Sequence, residues 1–203
     1  MESALIITYT EKSAVSIAEL LRAYSEFNIV HAHSAGKARR ILLERDFDFV
    51  IINAPMPDET GENLARQIAI KELSQVILIV NSEIYEMVSA VCESDGILTI
   101  SKPMDKEIFR QALSLAKSMH ARLLKMQTEN ESIKQKIENI RIVDRAKSIL
   151  ISSCGMSEQE AHRYIEKKAM DTRTAKRAVS ERIIHNYENG TKDSGILWKE
   201  GFE

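Results

Sequence analysis

Five short apolar runs punctuate the first hundred residues, at 5–8, 29–32, 49–52, 76–80 and 97–100. Four of them are rich in Ile and Val, residues that fit a pleated, buried surface. Amphipathic helical patterns lie between them, near 12–24, 35–45, 61–72, 84–93 and from about 104. Regular alternation of strand and helix implies crossover connections, and crossovers place strands parallel. Strands with so few polar positions need cover on both faces. The expected fold is therefore α/β, a doubly wound parallel sheet. The last helical pattern does not stop where a domain of this kind should, and continues for about 45 residues without Gly or Pro.

A heptad register fits that continuation. Its a positions are Ala116, Leu123, Asn130, Ile137 and Asp144, and its d positions are Met119, Met126, Ile133 and Ile140. Apolar residues every 3.5 positions form a seam between paired helices, and a single Asn at a fixes register in a parallel two-stranded coil. Residues 107–141 read as a coiled-coil helix and linker, and a parallel homodimer is expected through residues from about 116 to 143, with Met119, Leu123, Met126, Asn130, Ile133, Ile137 and Ile140 at the interface. Glu129 would face Lys134 of the partner favourably, whereas Lys136 and Arg141 would repel. The seam weakens at Asp144. A single long helix folded back on its own first domain is the other arrangement open to this pattern.

Residues 141–184 read RIVDRAKSILISSCGMSEQEAHRYIEKKAMDTRTAKRAVSERII. Three short amphipathic helices fit them. In 141–153 the apolar face is Ile142, Val143, Ala146, Ile149 and Leu150, at helical spacing. Gly155 supplies a stop, and Ser157 with Glu160 forms a capping box that opens the second helix. The second helix points Ala161, Tyr164, Ile165 and Ala169 inward. Residues 171–174 break the pattern, and the third helix runs to about His185 with Ala175, Ala178, Val179 and Ile183 inward.

This stretch resembles the ANTAR domain, at Asp144, Arg145, Ala146, Lys147, Leu150, Gly155, Ser157, Glu160, Ala161, Ala169, Met170, Asp171 and Val179. The resemblance implies a three-helix, RNA-binding output domain of a transcription antitermination regulator, over residues 141–187. Such a protein stabilises one of two competing folds in a nascent leader mRNA. Cations off the apolar faces are the candidates for contact with RNA: Arg145, Lys147, Arg163, Lys167, Arg173, Lys176 and Arg177.

The first domain, residues 1–118, resembles the receiver domain of response regulators. The stretch FDFVIINAPMPDETG at 47–61 is similar to that family's third strand and following loop, with Pro57 and Gly61 in place, and Lys102-Pro103 matches its Lys-Pro. The resemblance implies an aspartyl-phosphate site with a Mg²⁺-holding acidic pair, a Lys and a switch hydroxyl. The nucleophile position holds Asn53, and the acidic pair is replaced by Thr8 and Tyr9. A neutral amide is a poor nucleophile and a poor ligand for a hard cation. The switch hydroxyl falls near 80–82. Lys102 alone is retained, and with no acid at position 53 it reads as a solvated lysine. The expectation is a degenerate receiver that is not phosphorylated, with no metal, no cofactor and no catalytic residues.

Charge supports the division of labour. The formal net charge of -2 hides an excess of six acidic residues over 1–106 and of four basic residues over 141–182. A polyanion would approach the C-terminal part. Cys92 and Cys154 sit on helical patterns without metal spacing, as in a reduced cytoplasmic protein. No secretory signal or membrane-length apolar run is present. The expected function is an RNA-binding antiterminator, not an enzyme, acting on leader mRNA stem-loops as a homodimer, with a regulatory protein partner as a further expectation. A DNA-binding response regulator with a helix-turn-helix, and a coiled-coil interaction scaffold, are the alternatives. Residues 188–203 read as a flexible tail.

Overall fold

A computed structural model of the chain describes residues 1–71 and 74–190. The expected tail, apart from its first three residues, lies outside them. The chain divides into two compact units, Met1–Gln127 and one that begins at Thr128.

The first unit alternates strand and helix. In order these are β1 (Glu2–Ile7), α1 (Glu11–Tyr24), β2 (Phe27–Ala32), α2 (Ala35–Glu44), β3 (Phe49–Asn53), α3 (Glu62–Lys71), β4 (Gln75–Asn81), α4 (Tyr85–Glu93), β5 (Leu98–Lys102) and α5 (Lys106–Cys154). The strands form one parallel sheet in the order β2-β1-β3-β4-β5. Period-two alternation sorts the sheet residues onto two faces. Leu5, Ile7, Val50, Ile52 and Leu78 pack with Ala35, Ala38, Leu64, Ile68 and Val88 of α2, α3 and α4. Ala4, Ile6, Phe49, Ile51, Ile77 and Ile79 pack with Ile17 and Leu21 of α1 and with Phe109, Leu113 and Ala116 of α5.

Local chemistry fixes the connections. Thr10 caps α1 and Ser34 caps α2, each side chain accepting a hydrogen bond from a main-chain N–H three residues on. Asp58, from the loop after β3, reaches the same end of α2 and accepts from Ala35 N and Gly36 N at 3.0 and 2.9 Å. Those two bonds hold the Asp58 carboxyl below the usual range.

The early turns of α5 are clamped to the sheet. Lys117 pairs with Glu2 at 2.6 Å. His120 is buried, its ring 5.3 Å from that of Phe49 and its Nε2 3.2 Å from Asp48 Oδ1. Ala116, expected to open the heptad seam, is instead fully buried against the sheet. The seam and the domain core use the same helical spacing, and the core claims that turn first. The outward apolar stripe begins lower, with Met119 half-buried and Leu123, Met126, Ile133, Ile137 and Ile140 between 37% and 61% exposed. Asn130 is exposed within it.

Asp48 joins three elements, because it also accepts from Ser3 N and Ser3 Oγ at 2.7 and 2.8 Å. Burial alone would raise its carboxyl, but the Ser3 bonds and the His120 ring outweigh this and hold it low. Its side chain is 34% exposed. Asp48→Asn is therefore expected to cost about 1–2 kcal/mol in urea unfolding, the lower part of what bonds to a charged group contribute. A depressed carboxyl stabilises the fold above its unfolded value, and that share is lost as pH falls through the folded value. The variant should lose less stability than the parent on acidification, and equal acid slopes would refute the assignment.

The second unit packs the last turns of α5 with α6 (Glu158–Thr172) and α7 (Lys176–Glu188). Ala146, Ile149, Leu150, Ala161, Ile165, Ala169, Val179 and Ile183 form its core. Gly155 takes the left-handed conformation after α5 (φ 69°), and both halves of the Ser157–Glu160 capping box are present. Two details differ from expectation. Ala175 is the exposed N-cap of α7 and Ser180 is buried in its stead, while α7 continues past His185 to Glu188.

Candidate functional site

In a sheet of this order the chain reverses direction of winding at β1, so the ends of β1 and β3 form the crevice where open α/β sheets bind ligands. Thr8, just after β1, and Asn53, the last residue of β3, lie there, and the two strands pair through Ile7 and Ile52. Thr8 is 2% exposed, and Asn53 Nδ2 donates to its Oγ1 at 3.1 Å. The amide is thus engaged by the hydroxyl. Tyr9 is exposed. Lys102 is half-buried rather than solvated, and its ammonium donates to the main-chain carbonyl of Ala54. Burial lowers its proton affinity. A carbonyl partner leaves no mark on a sequence, which is why the lysine read as free. Ser82, exposed after β4, is the hydroxyl in the region expected for a switch residue.

The Mg²⁺ implied by the receiver resemblance does not fit these donors. The position of its carboxylates holds an amide and a hydroxyl bonded to each other. Asp58 is committed to α2, and Asp48 lies at the other end of β3. No group of three His, Cys, Asp or Glu able to hold a metal occurs among the described residues.

The seven cations expected to meet RNA fall into two groups. Arg145 pairs with Glu188 at 2.6 Å, Lys176 with Glu166 at 2.5 Å, and Arg177 with Glu181 at 2.7 Å and Asn139 at 3.0 Å. Lys147 is more constrained, lying 2.8 Å from Asp144 and 3.4 Å from Glu158, with its side chain 17% exposed. The Asp144 bond leads the effects that raise its proton affinity. Lys147 therefore ties α5 to the start of α6. Arg163, Lys167 and Arg173 are exposed and make no ion pair among the described residues. Arg163 and Lys167 stand one turn apart on α6, away from its buried line of Ala161, Ile165 and Ala169. Arg173 caps α6 in the left-handed region (φ 51°), a conformation that costs a residue with a Cβ about 1–2 kcal/mol. Hydrogen bonds from Arg173 N and Thr174 N to Ala169 and Met170 carbonyls offset it.

Sequence reasoning missed the countercharges Glu158, Glu166 and Glu188, and the Asp48–His120 contact. Their partners sit on other elements, so no local spacing reveals them.

The response regulator receiver domain model matches residues 5–114 and the ANTAR domain model matches residues 131–184. The chain is similar to the transcriptional regulatory protein PdtaR of Mycobacterium tuberculosis, 25% identical over 84% of this chain and 83% of that one. It is also similar to the aliphatic amidase regulator of Pseudomonas aeruginosa, 22% identical over 55% of this chain and 57% of the other. Two solved structures share the fold of the first unit. A receiver domain protein of Clostridium thermocellum, 22% identical, superposes with TM-score 0.51 over 57% of this chain and 94% of its own. The signal receiver domain of an HD domain-containing protein from Pseudomonas fluorescens Pf-5, 24% identical, gives 0.52 over 60% and 90%. With the receiver model covering more than half of its length and the ANTAR model covering the helices that follow, this chain belongs to the response regulators that carry an ANTAR domain.

Proposed function

We propose that the chain is an RNA-binding transcription antiterminator that acts, as a homodimer, on hairpins of a nascent leader mRNA. The observation that carries this reading is the set of exposed cations on the ANTAR-matching unit that make no ion pair among the described residues: Arg163, Lys167 and Arg173. They are free to release counterions from phosphates, whereas a paired cation must first exchange its carboxylate. Arg145, Lys176 and Arg177 join by exchange of their carboxylate partners. Lys147 serves mainly to set the angle between α5 and α6. A protein that binds one of two competing RNA folds shifts the balance by its differential affinity. The first unit, with Asn53 where a phosphorylated receiver has its carboxylate, takes no phosphate in this reading. No helix among the described residues is long and apolar enough to cross a membrane.

Fluorescence anisotropy of a labelled leader stem-loop tests the RNA contact. Arg163→Gln with Lys167→Gln is expected to weaken binding about tenfold and to flatten the salt slope by roughly 0.7–0.9 for each phosphate no longer neutralised. Lys147→Ala should lower thermal stability more than it lowers affinity. Equal binding by the double variant and the parent would remove these residues from the interface. Equal competition by duplex DNA of the same sequence would favour a DNA-binding regulator instead.

A further inference from the structure

Gln75 opens β4 on the face it shares with Ile77 and Ile79, the face covered by α1 and α5. Its N–H is fixed by the Asp48 carbonyl at 2.9 Å. The residue is 5% exposed, yet its Oε1 finds no donor among the described residues. Buried acceptors are nearly always satisfied, so an unsatisfied one points to a missing donor. Gln75 lines a groove of about 710 Å³ at the N-terminal edge of the sheet, walled by Met119, Leu123 and Met126 of α5. Arg122 stands on the same wall, exposed and without an ion pair among the described residues. Asp95, on the opposite side, is already held by Arg66 at 2.6 Å.

We propose that this groove binds a small amphipathic anion, an organic carboxylate or sulfonate with an apolar body and an N–H or O–H donor. Gln75 Oε1 is buried at rest, and a turn of its side chain toward the groove brings it to the donor, while the apolar body lies on the two methionines and Leu123 and the anion pairs with Arg122. The volume is that of a small-molecule pocket, and methionine side chains adapt to irregular shapes. A free phosphate has no apolar body and would gain only the Arg122 contact. The groove lies at the end of the sheet opposite Asn53, and so offers an entry for a signal independent of phosphorylation. Met119, Leu123 and Met126 all belong to the helix seam proposed above as well, so occupancy is coupled to assembly. That coupling rests on the coiled-coil reading, whereas the groove itself is built entirely within Met1–Gln127.

The probe is 8-anilinonaphthalene-1-sulfonate, which carries an anilino N–H, two apolar ring systems and a sulfonate. Titrated into the full chain, it should bind saturably at one molecule per protomer. Arg122→Gln and Gln75→Leu should each weaken binding about tenfold, the effect of losing one charge-assisted or buried hydrogen bond, at unchanged circular dichroism. The seam variant Ile133→Glu/Ile137→Glu should still bind the probe saturably at one molecule per protomer, with its affinity shifted from the parent's if assembly and occupancy are coupled; this separates failure of the groove from failure of the coil. Non-saturable binding, or parental affinity in both groove variants, would overturn the proposal.

Discussion

Glutamate at Ile133 and Ile137 together should convert a dimeric parent to a monomer at micromolar concentration, measured by light scattering. The two side chains are 54% and 46% exposed in the single chain, far more than aliphatic residues of either core. They occupy successive d and a positions of one seam, so a partner helix would bury both. Burial of one such side chain contributes roughly 1.5–3 kcal/mol, and a two-fold interface counts each residue twice. Four glutamates would replace that gain with desolvated like charges. The receiver core should be untouched, because its share of α5 ends at the turn of Ala116 and His120. A dimer presents two ANTAR units to one leader, so its loss should lower affinity for paired hairpins by about 10²–10⁴ while affinity for one hairpin stays. A parent that is already monomeric would refute the seam, as would a variant that remains dimeric.

Local signals were legible and long-range ones were not. The Ile- and Val-rich runs announce their strands because the buried parallel sheet excludes most polar residues. β1 nevertheless begins three residues before its apolar run, at Glu2, because pairing of Glu2 and Ser3 with Phe27 and Asn28 extends the ladder regardless of side chain. The Ser157–Glu160 capping box could be read because all of its parts lie within one turn. Arg145 and Lys147 were candidates for RNA contact because they match the ANTAR motif; Asp144 lies within one turn of Lys147, whereas Glu188 and Glu158 reach Arg145 and Lys147 from other helices. Ala116 satisfied two patterns at once, and only the assembled sheet decides between them. At the phosphoacceptor position the substitution of Asn53 was plain, but its hydrogen bond to Thr8 depends on β1 and β3 being neighbours.

No phosphoryl group should be gained when the parent is treated with a small-molecule phosphodonor and Mg²⁺, as read by intact mass. Phosphoryl transfer to a receiver needs a carboxylate nucleophile and charged oxygen ligands for the metal. Asn53 offers neither, and its amide is engaged with a hydroxyl that is 2% exposed. Asn53→Asp alone should still fail. The new carboxylate would sit beside Thr8 and near exposed Tyr9, without a second acid to share the metal, while Lys102 is turned to the Ala54 carbonyl. Adding Thr8→Asp and Tyr9→Asp supplies that pair, so only the triple variant should accept phosphate, in a Mg²⁺-dependent way that hydroxylamine reverses. Phosphate on the parent would mean that another carboxylate serves. Asp58 would then have to leave the N-terminus of α2, where it satisfies two main-chain N–H groups, and Asp58→Asn would identify it. Phosphate on the single variant would show that the missing acidic pair is not limiting and that Asn53 alone silences the receiver.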